Sequence, residues 1–195
     1  LMIISWVDDL AIAGSKAGVE ATKVELFKHF DCDDTGVMVE YIGNKVQRKD
    51  GMTKLTQPVL LQSFTDEFPI VRDSKIMNPA IPGTVLEPTE GKLSSEDQFT
   101  FRSGTGKLLH LMKWSRPEIG NSVRELSRFM SGAGLPHLKA MYRVMNYCLN
   151  TSEHGKVFKP CRTGKLEDIA NFEFIIDGYS DSDYAKDTVK RRSVS

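Results

Sequence analysis

Two aspartates, Asp8 and Asp9, stand side by side in SWVDDLAIAGSK, residues 5–16, between two apolar, strand-prone runs. A tight turn between strands can hold carboxylates at a fixed position, and hard cations such as Mg²⁺ take oxygen ligands in near-octahedral geometry. Two such ions about 3.5–4 Å apart stabilise the attacking and leaving oxygens of in-line phosphoryl transfer. An acidic surface turn is the plainer reading of an Asp-Asp pair, but solvated turns favour Gly, Asn or Pro beside the acid. Here Trp6-Val7 and Leu10-Ala11-Ile12 press apolar bulk on both sides. The expectation is a buried hairpin whose charge is held close to a core.

Other residues could also do chemistry. Asp34-Thr35-Gly36 is the tripeptide of aspartic proteases, in which two aspartates share a proton, but the residues before it, Asp31-Cys32-Asp33, are not the apolar strand such a site needs. SGTGKLL, residues 103–109, carries the glycines and lysine of a phosphate-binding loop, yet no Ser or Thr follows Lys107 and the surroundings read as helix. Arg124 and Arg128 are four apart, as are Lys139 and Arg143. Each pair shares one face of a helix, and such faces either stay solvated or meet phosphate. His29, His110, His137 and His154 show no metal-ligand spacing.

These residues must be positioned by a mixed set of elements. LMIISWV and LAIAGS read as strands joined at the aspartates, and KAGVEATKVELFKHF, with Val19, Val24, Leu26, Phe27 and Phe30 apolar, as an amphipathic helix. MVEYIGNKV and MTKLTQ flank Asp50-Gly51, a strong hairpin signal. PVLLQSFTDEF reads as a short helix opened by Pro58. Residues 69–95, with four prolines and two glycines, read as an irregular connector. Three helices follow. The first runs from about Glu96 to Trp114. The second opens at Ser115 with Glu118 three residues on as a capping box, and carries the apolar Ile119, Val123, Leu126 and Met130 on one face. The third runs from about Pro136 to Leu149. FEFIIDGYSDSDYA then reads as a strand bearing Asp181 and Asp183 at its end.

The whole chain has 195 residues, 40% hydrophobic and 27% charged, which suits a globular protein able to bury a core. Its net charge is zero, but the charge is unevenly spread. Residues 1–40 hold three Lys/Arg against eight Asp/Glu, and residues 98–162 eleven against three. Three scattered cysteines make no disulfide framework or zinc site, so a reducing, intracellular setting is expected, with no secretion and no membrane span. The start at Leu1 and the stop at RRSVS suggest a fragment of a longer polypeptide.

Taken in order, these blocks resemble one family. Trp6-Val7-Asp8-Asp9 followed by LAIAG resembles the aromatic-x-Asp-Asp box of reverse transcriptases, most of all those of copia-type LTR retrotransposons. DDTGVMVEYIGNKVQRKDGMTKLTQ resembles the stretch through the primer-grip hairpin, and NPAIPGTVL the Pro-Gly-Thr linker. FRSGTGKLLHLMKWSRPEIGNSVRELSRFM and PHLKAMYRVMNYCLNTSEHG resemble the helical signature after it, and GYSDSDYAKDTVKRRSVS the opening of RNase H.

The resemblance implies an α+β chain in three parts. Residues 1–57 would be the end of a polymerase palm, an antiparallel sheet with helices. Residues 58–154 would be a helical thumb and connection containing the linker 69–95, and residues 155–195 would be a truncated start of an RNase H-like domain carrying its first strand. It implies RNA-directed DNA synthesis as part of a Pol polyprotein in cytoplasmic virus-like particles. Asp8 and Asp9 would bind Mg²⁺ in a two-metal site, and Trp6 and Val7 would lie at the primer terminus. Asp181 would be the first RNase H carboxylate. The partners implied are an RNA/DNA template-primer duplex, a deoxynucleotide and the rest of the polyprotein, with Arg124, Arg128, Lys139 and Arg143 as a group on the nucleic-acid backbone; oligomeric state stays open. Trp6 stands where the family usually has Tyr. The family's third metal-binding aspartate would lie before Leu1, so the isolated fragment is expected to be inactive. The alternative is a non-enzymatic nucleic-acid-binding relic of a decayed element.

Overall fold

A computed structural model of the chain describes residues 1–159. The first apolar runs pair as β1 (Met2–Trp6) and β2 (Asp9–Ala13), antiparallel, with Ile3 opposite Ile12 and Trp6 opposite Asp9. Directly paired residues share a face, so Leu10, Ile12, Ile3 and Ser5 lie on one side and Met2, Ile4, Trp6 and Asp9 on the other. α1 (Lys16–His29) starts at Ser15, whose hydroxyl accepts the Gly18 N–H at 3.2 Å, and carries Lys28 and His29 at its negative C-terminal end. Its Ala21, Thr22 and Leu26 line a shallow apolar cleft with Leu1 and Ile3.

The hairpin is not buried as its composition suggests. Ile4 is 50% exposed and Trp6 55%, and α1 has no buried residue. Ile3 and Leu10 on the opposite face are 48% and 46% exposed, so a two-stranded sheet with a single helix beside it leaves both its faces largely open. Val24 and Phe27 of α1 are exposed as well.

β3 (Glu40–Tyr41), β4 (Asn44–Lys49) and β5 (Met52–Thr56) form an antiparallel meander, and β6 (Lys156–Phe158) adds to β5 to give the order β3-β4-β5-β6. The Asp50-Gly51 turn forms as expected, with φ values of 50° and 72°. A second such turn at Ile42-Gly43, φ 50° and 68°, splits the expected single strand MVEYIGNKV in two. The left-handed pair suits the twist of a two-residue hairpin, and the Asn44 amide holds the turn closed by donating to the Tyr41 and Ile42 carbonyls. Residues 156–158, which the resemblance assigns to the last part of the chain, thus pair with the sheet formed by residues 40–56.

α2 (Pro58–Glu67), α3 (Ser95–Trp114), α4 (Gly120–Ser127) and α5 (Leu135–Asn150) enclose the core. Phe64, Phe101, Leu108, Leu111, Ile119, Val123, Met141 and Met145 are fully buried there. The capping box expected at Ser115 does not form. Ser115 instead ends α3, and its hydroxyl donates to Gln57 Oε1 at 2.8 Å, while a 3-10 turn, Pro117–Ile119, leads into α4. Both Ser115 and Gln57 are buried, so pairing them satisfies two polar groups that helix capping would have left apart.

Residues 69–95 form no helix or strand, yet α5 fixes their path. Asn146 donates to the Val71 carbonyl at 2.7 Å and accepts from the Asp73 N–H, and Asn150 donates to the Asp73 and Ile76 carbonyls. Ile70, Ile76, Leu86 and Leu93 pack on the core. At the far end of the segment a Cβ on Gly134 would lie 2.6 Å from the Gly91 carbonyl oxygen, a backbone atom with little room to move. Gly134 has φ of −116°, open to any residue, so Gly134→Ala isolates the steric effect. It should destabilise the protein by about 1–3 kcal/mol. An unchanged urea midpoint would contradict this close approach.

His137 is fully buried nearby, its ring 3.9 Å from that of Phe129, and its Nδ1 accepts the Gly134 N–H at 2.8 Å. Burial holds its pKa below the usual histidine value. The unfolded chain therefore binds the proton first, so the stability held above pH of about 6.5 is lost as pH falls from there toward the folded pKa. The urea midpoint of the native protein should drop more between neutral and mildly acidic pH than that of His137→Asn. Equal drops would remove His137 as the cause.

Candidate active site

The tip of the first hairpin consists of Val7 and Asp8, with Trp6 and Asp9 as the closing pair. Val7 adopts φ of 50°. A β-branched residue is strained in the left-handed region, and the strain turns the chain back within two residues. This leaves Asp8 on the turn and Asp9 on the first position of β2, beside the Trp6 ring on the outer face. Both carboxylates are exposed, and neither makes an ion pair with a described residue. Val7 is 85% exposed at the apex. The site is therefore a protruding, doubly anionic tip flanked by an indole, and not a buried charge.

No group of three His, Cys, Asp or Glu capable of holding a metal occurs among the described residues. Two carboxylates still match the way Mg²⁺ is commonly held, through one or two protein oxygens with the remaining positions left to water and substrate phosphate. Asp181 lies outside the described residues.

The helical cations are not equivalent. Arg128 donates to Glu125 at 2.7 Å and Arg124 approaches the same carboxylate at 3.7 Å, so one acid offsets part of that pair's charge. The Arg128 guanidinium also lies over the Phe129 ring. Lys139 is exposed and Arg143 half-buried on α5. Arg116 leaves the pool of surface cations altogether, being 1% exposed and bonded inside the helical core. Spacing did not single out the outward stripe of α3, where Arg102, Gly106, His110 and Lys113 are exposed. Its signal was the repeat of three and four residues opposite Phe101, Leu108 and Leu111.

The competing constellations fall to other roles. Asp34 pairs with Lys23 at 2.9 Å and accepts the Gly36 N–H, and these bonds hold its carboxyl below the usual range. A protease carboxylate needs a second carboxylate, not an ammonium. Lys107 lies within α3 and bonds Ser63 and Glu67 of α2. Burial pushes the Cys148 thiol up to about 12, which leaves it unreactive. No helix of the described residues is long and apolar enough to cross a membrane.

The chain is 27% identical over 206 residues to the retrovirus-related Pol polyprotein from transposon TNT 1-94 of Nicotiana tabacum, covering 99% of this chain and 14% of that protein. It is 26% identical to the corresponding polyprotein from transposon RE1 of Arabidopsis thaliana, covering 95% of this chain and 12% of that one. Its homologues over most of its length are retrovirus-related Pol polyproteins from transposons. The chain spans about one seventh of their length or less. A shorter match, 35% identical over 95 residues, covers 49% of the chain and 60% of the secreted RxLR effector protein 161 of Plasmopara viticola. No protein-family model and no solved structure matches the chain.

Proposed function

We propose that the chain is the segment of a retroelement Pol polyprotein that carries two metal-binding carboxylates of an RNA-directed DNA polymerase. The observation that carries this is the hairpin tip, which presents Asp8 and Asp9 without cationic partners among the described residues, in a chain whose homologues are Pol polyproteins. The reaction would be attack of a primer 3′ hydroxyl on the α-phosphate of a deoxynucleotide. Asp8, on the turn, would be the principal ligand of Mg²⁺. Asp9, on the first residue of β2, would hold the ion directly or through its water. When bound, Mg²⁺ stabilises the charge on the attacking and leaving oxygens. Trp6, on the face that Asp9 shares, offers an aromatic surface for the terminal nucleotide, and Val7 caps the turn beside it. The cations at the end of α4 and on α5 would hold the duplex backbone, with Lys139 and Arg143 worth more than the Glu125-paired Arg124 and Arg128.

The remaining metal ligand and the nucleotide-binding surface would come from the rest of the polyprotein. The test is primer extension on an RNA template by a polyprotein containing this chain. Extension that depends on Asp8 supports the polymerase. Duplex binding with no extension in the intact reading frame would favour the nucleic-acid-binding relic.

A further inference from the structure

The four-stranded sheet is joined to the helices by two chain crossings, and two neighbouring residues at one helix end hold both. β5 passes into α2 at Gln57, and α5 returns to β6 through residues 151–155. The crossings run side by side, since Leu55 pairs with Lys156, and a Cβ on Gly155 would meet the Leu55 carbonyl oxygen and come within 2.8 Å of Thr56 Cγ2. The Ser115 hydroxyl donates to Gln57 Oε1 on the first crossing at 2.8 Å. Arg116, the next residue, donates on the second crossing to the Thr151 carbonyl at 3.1 Å and to the Thr151 hydroxyl at 2.6 Å. All four residues are buried. The cluster of buried apolar residues, by contrast, spans Leu61 to Leu149 and contains no residue of the sheet among those described. Parts of a chain that share no large apolar interface move relative to one another by default, and two adjacent crossings make a hinge.

We propose that Ser115 and Arg116 are positioning residues that lock this hinge, so that sheet and helices meet a bound duplex at one fixed angle. Their chemistry suits a lock. Each bond is buried, away from competing water, and breaking it orphans a buried partner. The planar guanidinium serves two acceptors at once, which resists twisting better than a single bond. Glu118, bonded to Nε, and the Tyr147 ring beside the guanidinium hold the fork itself in place. Because the two residues are adjacent at the end of α3, a swing of the sheet strains both ties together. The consequence for chemistry rests on the polymerase reading. The Asp8-Asp9 hairpin precedes the sheet in the chain and Lys139 and Arg143 lie on α5, so the lock would set the angle at which the helices deliver a primer end to the carboxylates. The lock itself does not depend on that reading.

Ser115→Ala/Gln57→Met removes the first tie without leaving a buried polar group unpaired, so the thermal midpoint should stay within about 2–4 °C of the native value. Spin labels at Gln47→Cys on β4 and His110→Cys on α3, both exposed sites, report the angle as a distance distribution in the full chain carrying Cys32→Ser and Cys161→Ser, since Cys148 is buried. The distribution should broaden by about twofold or more in Ser115→Ala/Gln57→Met and in Arg116→Lys, which keeps the charge but not the fork. In a polyprotein containing this chain, the same variants should lower kcat for primer extension about tenfold or more while hybrid affinity stays within about twofold, the split that misplacement gives and lost binding does not. A distribution of native width in either variant would overturn the lock. So would a midpoint lower by roughly 10 °C in Ser115→Ala/Gln57→Met, which would make the pair a support of the core alone. Broadening with native kcat would overturn the positioning role. Broadening in a polyprotein that extends no primer even with its native residues would keep the lock and overturn the polymerase reading instead.

Discussion

Asp8→Asn in a polyprotein containing this chain is expected to lower primer extension by about a thousandfold or more, close to 4 kcal/mol of transition-state stabilisation, while hybrid affinity stays within about twofold. Asparagine keeps the size of the side chain and one acceptor oxygen. It removes the anion that a hard divalent cation requires. Because Asp8 is exposed on a turn and makes no ion pair with a described residue, folding stability should change by no more than about 0.5 kcal/mol. The prediction thus separates chemistry from structure. Steady-state extension with the thermal midpoint measured on the same preparation decides it, and undiminished extension would sink the metal assignment.

Arg116→Ala should give the largest loss of stability, about 3–5 kcal/mol. The Arg116 side chain is 1% exposed. Its Nε bonds Glu118, its Nη1 donates to the Thr151 carbonyl at 3.1 Å, and its Nη2 donates to the Thr151 hydroxyl at 2.6 Å. The guanidinium also lies 5.4 Å from the Tyr147 ring centroid. It ties the start of the 3-10 turn to the C-terminal end of α5, immediately before the chain returns to the sheet as β6. Truncation leaves a cavity and strips the Thr151 carbonyl of a buried donor. At about 2–4 °C per kcal/mol for a domain of this size, the thermal midpoint should fall by roughly 10 °C. Arg116→Lys keeps the charge without the fork that serves two acceptors, so it should recover only part of the loss. A midpoint that did not move would show that Arg116 holds nothing together.

Local pattern was a good guide wherever the chain's neighbours along the sequence decide the outcome. The helices expected near 96–114 and 136–149 form at Ser95–Trp114 and Leu135–Asn150, because apolar residues recur every three to four positions and Ser94 caps the first. The Asp50-Gly51 turn forms because those residues suit left-handed backbone. The Ile42-Gly43 turn was hidden by isoleucine, which reads as strand and tolerates its φ of 50° only because Gly43 follows and Asn44 clamps the carbonyls.

Ser115 and Arg116 show the opposite case. Ser115 carries the local signal of a helix cap and nothing local singles out Arg116, while their partners Gln57 and Thr151 lie 58 and 35 residues away. The connector 69–95 is similar, since nothing within it reveals that Asn146 and Asn150 will hold its backbone.

The sequence by itself determined the acidic hairpin tip: adjacent carboxylates between strand-prone runs must meet at a turn, and no packing is needed to bring Asp8 beside Asp9. Only the tertiary structure decided which charges remain free to act. It buried Arg116, set Glu125 against Arg124 and Arg128, and through strand register placed Lys45, Lys49 and Lys54 on one face of the sheet. The physical reason is that a charge's use depends on the partners brought to it through space, and strand pairing across a sheet or burial against a distant helix is invisible to spacing along one segment.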